Sequence, residues 1–335
     1  MGTIIAGIAN LLGYVLNFIY SIVNNYGVAI ILFTILLRVL MIPINFKQNV
    51  NMKKSAVIQQ KTKELQKIYG NNQEQLNKEI MNLYKENNMS PFGGCLTSIV
   101  TLFIFISIFY IVSRPLTYMR HLDKEIIDNY TNEIYAQIQD SIDNTVNNEV
   151  TNTTDTNKNR RTYPEIAIIK EKGEEDERVY INMNFLGLDL SDIPSQNYSN
   201  WTVYIIPILY VITTFISLKL NEIMNKNRKN SASDSVVKER VISRNVTKND
   251  NNKDENKDEK MLVPTENKED EEDEFDTVND MNKTLTWMMP IMSVSISLIA
   301  PLGLALYWLV GNIFMIIERM ITNKIIYKEE KEEVK

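Results

Sequence analysis

The sequence predicts an all-α polytopic membrane protein with five spans, and three observations carry that prediction. Charge is absent from long blocks of the chain and crowded into others. Four apolar blocks reach the roughly 20 residues that a helix needs to cross a bilayer core. They are residues 26–46, with Arg38 as the only charge, and the uncharged residues 95–112, 201–218 and 284–317. The last block, at 34 residues, is too long for one span, and Pro301-Leu302-Gly303 lies near its middle. Proline and glycine there suit a tight reversal, so the block reads as two spans joined in a hairpin.

In chain order, residues 1–24 place Ile4, Ile8, Leu11, Leu12, Val15, Phe18, Ile19 and Ile22 at helical spacing. No Lys or Arg precedes Arg38, which argues against a signal peptide. An amphipathic helix lying in the membrane interface is expected, with an uncleaved sixth span as the alternative. Span 1 follows at 25–46. Residues 47–90 carry eight lysines and four glutamates. Two helices, 52–69 and 73–86, are expected there around Gly70-Asn71-Asn72, paired as an antiparallel helical hairpin. Span 2 occupies 91–112. Residues 113–200 carry nine basic and sixteen acidic residues. Leu122, Ile126, Tyr130, Ile134 and Ile138 form a helical stripe, the Asn/Thr-rich stretch 144–160 reads as disordered, and EIAIIK and RVYINMNF around KGEEDE read as a β-hairpin. Span 3 is 201–220. Residues 221–283, with the run KEDEEDEFD, read as a charged, largely disordered linker. Spans 4 and 5 are 284–300 and 301–322, and 323–335 form a short tail. Basic residues near span ends mark the cytoplasmic side. The 47–90 loop, Lys219, Lys226, Arg228 and Lys229 therefore face the cytoplasm. The N-terminus and 113–200 lie outside, and the C-terminus lies inside.

Composition narrows the chemistry. With 36 basic and 42 acidic residues, the net charge of −6 does not suggest nucleic-acid recognition. A single cysteine, Cys95, cannot form an internal disulfide, and a single histidine, His121, leaves little for a metal site or a Ser-His triad. His121 is expected at the surface. No phosphate-binding GxxxxGK[ST] motif is present. Neither an enzyme nor a cofactor is expected.

The informative residue is Arg38. An arginine at a helix centre costs about 2.5–3.5 kcal/mol on insertion scales. Arg38 lies eight residues before Phe46, roughly 12 Å along a helix. No carboxylate lies in the apolar middle of another span; Glu318 stands at a span end. Thr34 shares its face one turn away. Thr213 and Thr214 interrupt span 3, Ser293, Ser295 and Ser297 mark span 4, and Tyr307, Trp308 and Asn312 lie in span 5. Each hydroxyl, taken alone, fits a back-bond to its own helix, and Trp308 fits packing. Pro91, Gly93, Gly94 and Cys95 fit close helix packing at the start of span 2.

Several stretches together resemble the YidC-type membrane protein insertase family. SPFGGC resembles the start of a span in that family, and KEIMNLYKENNMS its second cytoplasmic helix. YGVAIILFTILLRVLMIPI is similar to its first core span with a buried arginine. NFLGLDLSDIP is similar to its approach to the third core span. WMMPIM and PLGLALYWLVGN, with Pro301 and Gly303, resemble its last two spans. The family's large periplasmic domain and its lipoprotein cysteine are not matched, and the tail is not strongly basic. The resemblance implies a five-span insertase core in the bacterial plasma membrane, with a hydrophilic groove open to cytoplasm and lipid. It implies that Arg38 attracts acidic residues in the tail of an incoming membrane protein, with Thr34, Thr213, Thr214, Tyr307, Trp308 and Asn312 lining the groove. It implies that the hairpin, through Met52, Lys53, Lys54, Met81, Tyr84 and Lys85, is the first contact for nascent chains or targeting partners. The implied partners are nascent membrane proteins, the lipid bilayer and the Sec translocon, with ribosome or signal-recognition contacts weakly signalled by this tail. An assembly scaffold beside the Sec translocon and an anion or solute transporter are the alternative functions.

Overall fold

Long apolar runs without a helix breaker dictate most of the architecture, a predominantly helical chain. In the computed structural model, residues 2–69, 72–89, 93–145, 160–197, 199–250 and 291–333 are described. The helices are α1 (Gly2–Val23), α2 (Tyr26–Tyr69), α3 (Gln73–Glu86), α4 (Gly93–Ser113), α5 (Pro115–Tyr118), α6 (Lys124–Thr145), α7 (Pro164–Lys172), α8 (Ile205–Asp250), α9 (residues 291–299) and α10 (Leu302–Glu333). Strands β1 (Asn184–Phe185) and β2 (Leu188–Asp189) pair antiparallel. Their turn residues Leu186 and Gly187 both have positive φ, 53° and 80°, as a two-residue hairpin turn of type I′ requires. Four helices are long and apolar enough to cross a membrane: Gly2–Val23, Tyr26–Tyr69, Trp201–Asn227 and Leu302–Ile325. Leu102–Ser113 is a shorter apolar helix.

The chain divides into two compact units. The first contains residues 1–46, 92–220 and 293–335. Its close backbone approaches lie between α1 and α4, between α1 and α5, between α4 and α10, and between α6 and α7. α1 packs through Ile5, Ala9, Gly13, Leu16 and Tyr20, a series of i, i+4 and i, i+3 steps on one face. Gly13 is required there, since a Cβ would overlap the Tyr118 carbonyl. Ser107 of α4 reaches the Ile5 carbonyl, and the Asn182 amide donates to the Tyr20 hydroxyl. On α6, Ile134 and Ile138 are fully buried. The second unit contains residues 47–91 and 221–292. There, Ile58, Leu76, Leu83 and Met224 are buried, and the Asn72 side chain caps α3 by accepting from the Gln75 amide.

Four expectations need correction. EIAIIK is not a strand: it forms α7, begun by Pro164 at the first helical position with Glu165 beside it. Four consecutive buried residues, Ile166 to Ile169, fit a buried helix as well as a strand, and periodicity cannot separate the two. The only strand pairing among the described residues is the short one at Asn184–Asp189. Residues 221–250 are not disordered, because α8 runs through them to Asp250. No Pro or Gly occurs between Pro207 and Pro264, and a helix once started propagates at little cost. Likewise α2 continues through residues 47–51, where the sequence suggested a separation between span and hairpin. Finally, His121 is not simply a surface residue. It stacks on Tyr14 at 3.7 Å between ring centroids, its backbone has φ 50°, and its Nε2 is buried without a hydrogen-bond partner. Burial holds its imidazole below the ordinary value. Pro91, the turn residues Gly70 and Asn71, most of the Asn/Thr-rich stretch, the acidic run and WMMPIM up to Pro290 lie outside the described residues.

Candidate functional site

A seam of polar side chains runs along the inner faces of α2, α8 and α10. On α2 the series is Thr34, Arg38 and Asn45; on α10 it is Tyr307, Gly311 and Glu318. Both have the spacing i, i+4, i+11, three turns of helix on one face. The two series meet in register. A Cβ added at Gly311 would lie 2.9 Å from Arg38 Nη2, so the guanidinium rests against the bare glycine backbone. Seven residues further along both helices, Asn45 Nδ2 donates to Glu318 Oε2 at 3.1 Å. α8 closes the third side. Asn312 Nδ2 donates to Thr214 Oγ1 at 2.8 Å, and Arg319 Nη1 donates to the carbonyl and hydroxyl of Ser217 at 3.2 and 3.1 Å.

Arg38 is half-buried, and among the described residues it has neither a hydrogen-bond nor an ion-pair partner. A permanent cation placed mid-helix without a counter-charge is costly in hydrocarbon and cheap only beside water or a transient anion. The closest backbone approaches of this unit lie elsewhere, above all between α1 and α4. Across the seam, the side chains of Arg38, Asn45, Asn312 and Arg319 reach from one helix to the next.

The other expected positions divide. Thr34 is buried and donates to the Ile30 carbonyl at 2.6 Å; Thr213 donates to the Tyr210 carbonyl at 2.9 Å. Both are back-bonds that leave the hydroxyl able to accept. Thr214 and Asn312 are brought together, as described. Trp308 is buried between Phe105 (5.7 Å, stacked) and Tyr210 (5.6 Å, tilted), so it ties α4, α8 and α10 together by packing. Tyr307 is half-buried on the seam face. Asn45, Ser217, Gly311 and Arg319 complete the seam and were not singled out from sequence. A search along α2 for polar residues one and two turns from Arg38 would have found Asn45.

The Tyr26 end of the seam is covered by the NFLGLDLSDIP stretch and its neighbours. The Asn182 carbonyl accepts from the Tyr26 amide at 3.0 Å, and the Asn184 carbonyl accepts from Asn25 Nδ2 at 2.7 Å. The Phe185 ring sits where a Cβ of Gly27 would be. The first free amides of α10, at Leu302 and Gly303, donate to the carbonyls of Asp192 and Leu190 at 2.9 and 3.0 Å. These bonds satisfy groups that a helix start leaves orphaned. Lys170 of α7 pairs with Asp192 at 2.6 Å and Asp189 at 3.5 Å, fastening this cover to the helical segment. Within that segment Glu165 is buried and accepts from the amide and hydroxyl of Thr117. Burial pushes its carboxyl above the usual range, against the opposing pull of those bonds. Arg178 holds the Asp176 carboxyl well below that range.

In the second unit, Met52, Lys54, Met81 and Lys85 are exposed and Tyr84 is half-buried; the Lys53 side chain lies outside the described residues. Gly93, Gly94 and Cys95 form the first turn of α4, and their side-chain environment also lies outside. Pro301 and Gly303 frame the α9–α10 break, where Gly303 leaves room for Tyr26 and Ile30. No group of residues able to hold a metal occurs among the described residues.

The family described as 60Kd inner membrane protein matches residues 18–241 and 259–330. A membrane protein insertase YidC from Caldanaerobacter subterraneus subsp. tengcongensis is 46% identical over 104 residues, covering 31% of this chain and 50% of that protein. One from Wigglesworthia glossinidia brevipalpis is 36% identical over 114 residues, 34% of this chain and 21% of that protein. One from Francisella tularensis subsp. novicida is 37% identical over 99 residues, 30% and 18% respectively. The matched stretch thus spans half of the first relative's length and about a fifth of the other two.

Proposed function

We propose, from the premise that this chain belongs to the 60Kd inner membrane protein family, that it is a non-enzymatic membrane protein insertase. It works in the bacterial plasma membrane as a five-span core, with the N-terminus outside and the C-terminus in the cytoplasm. The observation that carries the reading is the half-buried, unpaired Arg38 on a seam of polar groups from three helices. The acidic tail of an incoming membrane protein supplies the counter-charge that none of the described residues supplies. The cover over the Tyr26 end supports a seam closed toward the outside.

The energetics favour passage. A carboxylate in the membrane centre costs about 2.5–3.5 kcal/mol, and Arg38 offsets part of it. Burying a span of about 20 Leu, Ile, Val or Phe residues gains on the order of 6–12 kcal/mol on the same scale. The apolar helix leaving sideways into lipid therefore drives the step, and no nucleotide is needed. The exposed side chains of Met52, Lys54, Met81 and Lys85 suit transient, unspecific capture of nascent chains by a cytoplasmic hairpin. The Sec translocon is a further partner in this reading.

The test is insertion of a single-span substrate with an acidic tail. Arg38→Ala should lower insertion at least several-fold, while Arg38→Lys keeps most of it. Equal insertion by both variants and the unchanged protein would sink the charge-attraction reading. Deleting residues 52–87 should slow capture; unimpaired insertion after that deletion would remove the hairpin from the mechanism.

A further inference from the structure

The seam holds a second charge at a fixed distance from the first. Arg38 reaches α10 at Gly311, and Asn45 reaches it at Glu318, so α2 and α10 run parallel in register here. Seven residues of helix separate the two levels, about 10 Å along the axis. Glu318 is half-buried, and its Oε2 accepts from Asn45, a neutral amide that leaves the charge uncompensated. Among the described residues, Glu318 has no ion-pair partner. The adjacent Arg319 is directed to Ser217 on α8, as neighbouring helical residues face different sides. A cation at mid-span and a carboxylate toward the Phe46 end thus share one face.

Resting on the insertase reading, we propose that Glu318 is a specificity-determining residue that receives a basic residue of the incoming chain. The seam then selects segments in which an acidic residue is followed by a basic one about 10 Å behind it. That distance is about three residues in extended chain and about seven in a helix. An acid at Arg38 and a base at Glu318 belong to one short stretch of the incoming chain, since a whole span of about 20 residues, roughly 30 Å as a helix, cannot lie between two positions about 10 Å apart. A second acidic residue at that level meets repulsion from Glu318 instead, so the pair reads the order and spacing of two charges.

The unaltered protein, reconstituted in liposomes, provides the first test. Single-span substrates carry one tail aspartate and a lysine walked over the ten following positions, each paired with a glutamine control. Insertion relative to the control should peak several-fold at about three or about seven residues after the aspartate. A flat profile overturns the proposal. In the protein, Glu318→Gln should bring the lysine-to-glutamine ratio to about one, Glu318→Asp should keep it above one, and Glu318→Lys should favour glutamate over lysine at the peak position. An unchanged ratio in Glu318→Gln overturns the proposal too. Failure of the underlying reading is seen separately, as loss of any preference for the aspartate itself and indifference to Arg38→Ala. A flat lysine profile with the aspartate preference intact counts against Glu318 alone.

Discussion

At Arg38 the sequence and the structure meet most closely. The apolar run on both sides made the arginine conspicuous, and helical spacing put Thr34 on its face. What could not be read was the opposing surface. Gly311 carries no chemical signal, yet its missing side chain is what lets the guanidinium lie against α10. Gly311→Ala should be mild, because the colliding atom is the far end of a flexible chain. Gly311→Leu should push the guanidinium off the seam and lower insertion of an acidic-tail substrate nearly as much as Arg38→Ala. The fold should survive, since the arginine can swing away. Insertion assays with expression levels matched check this, and full activity of Gly311→Leu would show that the guanidinium does not act from this position. Asn45 escaped notice for a related reason. It lies at the end of the apolar run beside Pro43, where a polar residue is ordinary.

Among elements, the long apolar helices were legible and the segment between α4 and α8 was not. Spans announce themselves by length and lack of charge. In the 113–200 segment, only the stripe from Leu122 to Ile138, most of which lies in α6, had a clear period. EIAIIK has too few residues to show one, and its helical state follows from what it packs against. The cover over the seam is held largely by main-chain carbonyls of Asn182, Asn184, Leu190 and Asp192, and backbone bonds leave no mark on side-chain pattern. Its one steric signature is Gly27 beneath Phe185. Gly27→Leu should destabilise the protein by about 1–3 kcal/mol, the usual range for overpacking. Adding Phe185→Ala should recover part of that loss, so the double variant melts above the sum of the singles. Thermal unfolding in detergent measures this, and strict additivity would mean that the ring and the glycine do not share the space.

For the molecule as a whole, the arrangement amounts to a polar seam covered at the Tyr26 end and bridged by polar side chains along its length. The charged groups on it, Arg38, Glu318 and Arg319, are arranged so that Arg38 alone sits mid-span. Order of spans, the arginine and the motif stretches made the family legible from sequence; the register between α2 and α10 needed coordinates. The most direct measurement is reconstitution of the pure protein in liposomes free of the Sec translocon, with a single-span, acidic-tailed substrate supplied during its translation. Protease-protected, membrane-spanning substrate should appear several-fold above protein-free liposomes and be lost with Arg38→Ala. Insertion no greater than in protein-free liposomes, or passage of small anions without insertion, would contradict the insertase reading.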